Sequence, residues 1–134
     1  MIVGIGTDIC SIERFEDEEK RNALMARFYT EAEQAYVNGR GKSAASSAAA
    51  VFAAKEACAK ALGTGFGGFG PSEIEVLHDE KGRPHYRLTG EAAQLARRKG
   101  VDRLHLSLSH DGGQAVAFAV LEGRGRNGND LLWE

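Results

Sequence analysis

Between Ser43 and Gly65 the chain reads SAASSAAAVFAAKEACAKALGTG, and this run constrains everything around it. Alanine, lysine, glutamate and leucine are strong helix formers, and no β-branched residue interrupts Phe52 to Leu62. Gly63 is the expected stop, because glycine takes a left-handed cap without a Cβ clash. The spacing predicts one helix of about five turns. Its small side chains permit close packing against a sheet or another subunit. Gly63 to Gly70 then holds five glycines in eight residues. Glu56 and Lys60 are four apart and share one helix face. Two readings fit that pair. One is an ordinary salt bridge on a solvated face. The other is a carboxylate and an ammonium beside a bare backbone loop, suited to a metal ion and a phosphate.

The length of 134 residues suits one domain with a genuine core. A net charge of −2 gives no global electrostatic case for nucleic acid. No apolar stretch approaches the roughly twenty residues that a membrane helix needs. Met1 leads straight into a strand-like run with no basic segment before it, so no signal peptide is expected. Cys10 and Cys58 lie in apolar segments and in no metal-binding spacing, which predicts buried free thiols and fits a reducing cytoplasm.

Ile2 to Ile9 reads as a strand, with Val3, Ile5, Thr7 and Ile9 on one face and Ile2, Gly4, Gly6 and Asp8 on the other. Two glycines weaken a strand unless another backbone or a ligand must come close. Asp8 is then either a carboxylate projected into a tight site or a turn residue capping the next helix. A dinucleotide fingerprint is excluded, since Ile9 stands where the third glycine would fall. Ser11 to Phe28 reads as a helix capped by Ser11, with Arg14, Arg21 and Phe28 along one stripe and Glu16 to Glu19 on a solvated face. Thr30 to Val37 is a second helix, and Thr30 with Glu33 forms a capping box. Asn38 to Gly41 breaks it. A Walker-type loop is excluded at Gly63, because the loop trails a helix and no Gly-Lys-Ser/Thr follows.

Ser72 to Leu88 reads as a hairpin around Asp79–Gly82, and Thr89 to Gly100 as an amphipathic helix with Ala92, Leu95 and Ala96 inward. Leu104 to His110 and Gln114 to Leu121 form two strands around Asp111-Gly112-Gly113. Residues 1–122 make one domain, followed by a flexible tail over 123–134, where Leu131, Leu132 and Trp133 are the only bulky apolar residues. Ser109, His110 and Asp111 are consecutive on a strand and point apart, so they form no triad. His110 beside a glycine turn is either an anion donor or a residue at the edge of the core.

Three segments in this order, GIGTDI at Gly4–Ile9, FAAKEACAKALGTG at Phe52–Gly65 and LSLSHD at Leu106–Asp111, resemble the holo-acyl-carrier-protein synthases. These are the small group of the 4′-phosphopantetheinyl transferases. The pattern F-x-x-K-E-A-x-x-K-A-x-G-T-G over fourteen positions is the specific part, and the Gly82–Pro84 turn agrees with it. The resemblance covers about Met1 to Glu122.

It implies an α+β fold, an antiparallel sheet packed on a long helix, in a homotrimer with active sites between subunits. It implies Mg²⁺-dependent transfer of phosphopantetheine from coenzyme A to a serine of an acyl carrier protein, with release of 3′,5′-ADP, serving fatty acid or polyketide synthesis. Asp8 and Glu56 match the metal ligands, and Lys60 matches the lysine on the pyrophosphate. Gly63, Thr64 and Gly65 match the phosphate loop, His110 the histidine near the coenzyme A phosphates, and Arg14 the carrier-docking helix, to which Arg21 also belongs. Two carboxylates are enough for Mg²⁺, which prefers waters and phosphate oxygens over an all-protein cage. Asp8, Glu56 or a metal-bound water are the candidates to take the serine proton. Gly4 and Gly6 beside Asp8 would let the cofactor approach the strand. Relatives usually carry arginine where this chain has Val51, and Lys42 or Arg40 are the substitutes in reach. The acidic run Glu16–Glu19 must face away from an acidic carrier. A non-catalytic coenzyme A or nucleotide-phosphate binding module is the alternative function, and a structural trimer a blander one.

Overall fold

The computed structural model describes residues 1–124. Strand β1 (Ile2–Ser11) leads through a 3-10 turn (Ile12–Phe15) to helices α1 (Glu18–Phe28) and α2 (Glu31–Asn38). The long helix α3 (Ala44–Ala61) follows, then the hairpin of β2 (Ile74–His78) and β3 (Pro84–Leu88), helix α4 (Gly90–Arg98), and strands β4 (Val101–Asp111) and β5 (Gln114–Gly123). The expected tail falls almost wholly outside the described residues.

One antiparallel sheet has the order β1-β5-β4, and β2-β3 is a separate two-stranded ribbon. Gly112 and Gly113 make the β4–β5 turn at φ of 56° and 80°, a region that only glycine enters freely. The expected capping box at Thr30 is present: its hydroxyl takes the Glu33 amide and the Glu33 carboxylate takes the Thr30 amide.

Helix α3 crosses the inner face of the three-stranded sheet. Where α3 crosses β1 and β5 that face is built mostly from small residues, Gly4 and Gly6 on β1 and Ala115, Ala117 and Ala119 on β5, while β4 adds Leu104, Leu106 and Leu108. A Cβ on Gly6 would lie 2.0 Å from the Ala57 carbonyl oxygen, and one on Gly4 at 2.0 Å from that of Ala61. The two glycines therefore admit the backbone of α3, and the expected approach of a cofactor to the strand gives way to this contact. The bulky side chains of β1 point the other way. Ile5 is 60% exposed and Ile9 62%, and Phe118 of the neighbouring β5 is 48% exposed on the same side.

The single helix expected over Ser11–Phe28 is broken. Ser11 ends β1 and caps nothing through its side chain, while the Asp17 carboxylate accepts the Lys20 amide and starts α1 afresh. Arg14 and Arg21 accordingly share no helical stripe. Glu18 and Glu19 occupy the first turn of α1, where the helix dipole favours negative charge. Cys10 and Cys58 are free and buried, as expected. No helix of the described residues is long and apolar enough to cross a membrane.

Candidate active site

Asp8 lies on the inner face of β1, beyond the two glycines, so the close approach of α3 carries Glu56 and Lys60 to it. Lys60 Nζ is 2.9 Å from Asp8 Oδ1 and also donates to the Thr7 carbonyl at 3.1 Å. No Glu56–Lys60 ion pair forms among the described residues. The ordinary i,i+4 salt bridge is therefore not what this pair does: Lys60 reaches across to the strand. Glu56 is left half-buried beside Asp8. Burial pushes its carboxyl above the usual range, the negative charge of Asp8 pushes it further, and Lys60 and Arg14 pull it back. Two carboxylates that repel each other, with an ammonium on one of them, form a site that a small divalent cation would relieve. A group of three metal-ligating side chains is absent among the described residues. The two carboxylates fit a hard cation that completes its shell with water and phosphate oxygens.

The glycine loop starts where α3 stops. Gly63 (φ 88°) and Gly65 (φ 59°) take left-handed conformations. Their amides donate to Lys60 and Ala59 carbonyls and so close the helix end. Of the three residues assigned to phosphate, Thr64 alone keeps an amide without a partner among the described residues. A helix C-terminus carries partial negative charge, so an anion here needs cations. Lys60 is one. The ammonium of Lys99, just past α4, is a second: it sits 3.5 Å from where a Gly63 Cβ would be.

His110 is placed apart from this cluster. It pairs with Ala115 of β5, which pairs with Cys10 of β1, so two strand spacings, about 10 Å, separate His110 from β1. It lines a groove of about 400 Å³ with Arg40, Ser46, Ser47, His78 and Ser109, and Asp8, Glu56 and Lys60 take no part in it. Arg40, weighed above as a substitute for the arginine at Val51, thus shares the groove with His110. Val51 itself is 1% exposed and belongs to the core. Arg14 is exposed, with its guanidinium 4.9 Å from the centroid of the Phe52 ring and Nη1 3.9 Å from Cys10 Sγ. Arg21 is half-buried and donates to the Phe15 carbonyl at 2.8 Å.

A family model described as the 4′-phosphopantetheinyl transferase superfamily matches residues 4–119. The chain belongs to this superfamily. The holo-[acyl-carrier-protein] synthase of Trichlorobacter lovleyi is 50% identical over 125 residues, spanning 91% of this chain and 98% of that protein. Among solved structures, the holo-[acyl-carrier-protein] synthase of Neisseria meningitidis superposes with a TM-score of 0.79 at 37% identity, over 91% of this chain and 99% of that one. The Bacillus anthracis synthase, solved in complex with CoA (3′,5′-ADP), gives 0.74 at 38% identity over 92% and 98%. The α+β architecture expected from the sequence is that of the phosphopantetheinyl transferases.

Two residues near this cluster escaped the sequence reading. Lys99 stands at the C-terminal end of α4, and its place over the glycine loop depends on how α4 docks. Lys55 is 1% exposed and pairs with Glu33 at 2.7 Å. Its signal was available: it interrupts the otherwise apolar stripe Ala48, Val51, Cys58, Leu62.

Proposed function

We propose that the protein is a holo-[acyl-carrier-protein] synthase. It transfers 4′-phosphopantetheine from coenzyme A to a serine of an acyl carrier protein, depends on Mg²⁺ and works in the cytoplasm. The observation that carries this reading is the meeting of Asp8, Glu56 and Lys60 at the head of the glycine loop, in a chain half identical to a synthase.

In the reaction the serine Oγ forms a bond to the β-phosphorus, the bond from phosphorus to the leaving 3′,5′-ADP oxygen breaks, and the serine proton passes to Asp8, Glu56 or a water. Asp8 and Glu56 would hold Mg²⁺, which neutralises charge on the transferred and leaving oxygens. Lys60, tethered by Asp8 and the Thr7 carbonyl, is pre-oriented to bind a pyrophosphate oxygen without reorganisation during transfer. Gly63 and Gly65 keep side-chain bulk off that phosphate, and the Thr64 amide is the donor left for it. The test is intact-mass spectrometry of an apo acyl carrier protein incubated with this protein, coenzyme A and Mg²⁺, with EDTA as control. A metal-dependent gain of one phosphopantetheine supports the assignment. Coenzyme A binding with no gain would point to the binding module instead.

The homotrimer implied by the family resemblance is supported by the apolar outer face of Ile5, Ile9, Val116 and Phe118, the kind of surface that subunits bury. A cavity of about 620 Å³ bounded by Ile5, Thr7, Lys60 and Phe118 lies on this face, so a neighbouring subunit would complete the wall beside Lys60. Phe118→Glu is expected to yield a monomer by sedimentation velocity, with transfer reduced at least about a hundredfold (roughly 2.7 kcal/mol at 1.36 kcal/mol per tenfold). An intact trimer would remove this face from the interface.

Arg14 is free to meet an acidic carrier, and the acidic start of α1 does not share its turn. Arg14→Ala is expected to raise the carrier KM about tenfold, the effect of one lost interfacial charge contact of about 1.4 kcal/mol. The coenzyme A KM should stay within twofold. Equal loss of both would take Arg14 out of the docking surface.

A further inference from the structure

The geometry points to Lys55 as a positioning residue that clamps the far end of the glycine loop to α3, and so sets the phosphate site; this rests on the function proposed above. Lys55 Nζ makes three contacts inside the core: Glu33 Oε1 at 2.7 Å, the Pro71 carbonyl at 2.9 Å and the Ile74 carbonyl at 2.8 Å. Pro71 is the first residue after the loop Gly63–Gly70. The near end of that loop is already fastened to α3 through the Gly63 and Gly65 amides. One helix thus holds both ends of the loop, and the neighbouring residue Glu56 and the next-turn Lys60 belong to the site that the loop borders.

Glu33 completes the device. Its Oε1 also takes the Thr30 amide at 2.8 Å, and its Oε2 takes the Val76 amide at 2.7 Å. Every oxygen and the ammonium are satisfied, and both side chains are at most 1% exposed. A buried ion pair is poor value for stability alone, because apolar side chains of the same size often serve as well or better. An apolar replacement would, however, release the Pro71 and Ile74 carbonyls. The pair therefore fits a need for a fixed backbone course rather than for a stronger core. Glu73 supports the same end of the loop from outside, accepting the Gly70 amide at 3.3 Å and the Ala92 amide of α4 at 3.2 Å.

Lys55→Met alone would leave a buried carboxylate without its partner and is expected to fold poorly. The informative variant is Lys55→Met/Glu33→Gln, which removes both charges at nearly constant volume. Its coenzyme A KM is expected to rise about tenfold with kcat within threefold, the pattern of lost uniform binding. Hydrogen exchange of the Gly63–Gly70 amides should quicken while the amides of α3 from Ala48 to Ala54 stay protected. Wild-type KM and loop exchange in the folded double variant would overturn the clamp. So would loss of protection throughout α3 with kcat falling and KM rising together, since that is general loosening. Failure of the wild-type protein to bind coenzyme A would overturn the site reading first, and with it the purpose given to the clamp.

Discussion

Glu56→Gln is expected to abolish phosphopantetheine transfer, by on the order of 10³-fold or more, at any practical Mg²⁺ concentration. The amide keeps the shape of the side chain and removes the charge. One carboxylate, Asp8, already engaged with Lys60, would then face the cation alone. The same variant makes a second, opposite prediction for stability. Burial and Asp8 raise the Glu56 carboxyl in the folded chain, so ionising it costs folding free energy. That penalty is absent below the ordinary carboxylate range and grows as pH rises through the raised folded value. In metal-free protein at neutral pH, Glu56→Gln should therefore melt at the wild-type temperature or above it. Such a trade of stability for function marks a site built for a ligand. Transfer at the wild-type rate would remove Glu56 from the site, and a lower melting temperature in metal-free buffer would make it a structural residue.

The second large effect concerns the fold that brings the site together. Gly6→Ala adds one carbon that would sit 2.0 Å from the Ala57 carbonyl oxygen and 2.8 Å from the Ala61 amide nitrogen. Both are helix backbone, so no side chain can swing away. Ordinary overpacking costs about 1–3 kcal/mol; here β1 or α3 must shift, and a loss above about 4 kcal/mol is expected in urea denaturation. Any folded fraction should also transfer slowly, since the same shift parts Asp8 from Lys60. A loss under about 1 kcal/mol would show that the strand and helix are less tightly seated than this contact implies.

The two predictions show unequal legibility. Helix α3, its glycine stop, the capping box at Thr30 and Glu33 and the turns at Asp79 and Gly112 were readable because each depends on groups within a few residues of one another. The composition of the site was readable too, through the fourteen-position pattern around Glu56 and Lys60. The break at Asp17 was not, because Ser11 and Asp17 are both acceptable caps and only the extension of β1 to Ser11 chose between them. The role of Gly4 and Gly6 stayed open between a helix and a ligand, since the sequence of β1 says that something approaches but not what.

The sequence by itself determined the local elements, the small-residue faces that must pack closely, and the carboxylates and lysine proposed to carry the chemistry. Only the tertiary structure decided how those charges pair. Lys60 lies within reach of Glu56 along its own helix, yet it meets Asp8, fifty-two residues away in sequence. Lys55, next to Glu56, turns inward to Glu33 and to the end of the glycine loop. The physical reason is that propensity and capping act over a turn or two of chain. The partner of a charged side chain is set by which backbones come into contact, and here the glycines of β1 fix that contact.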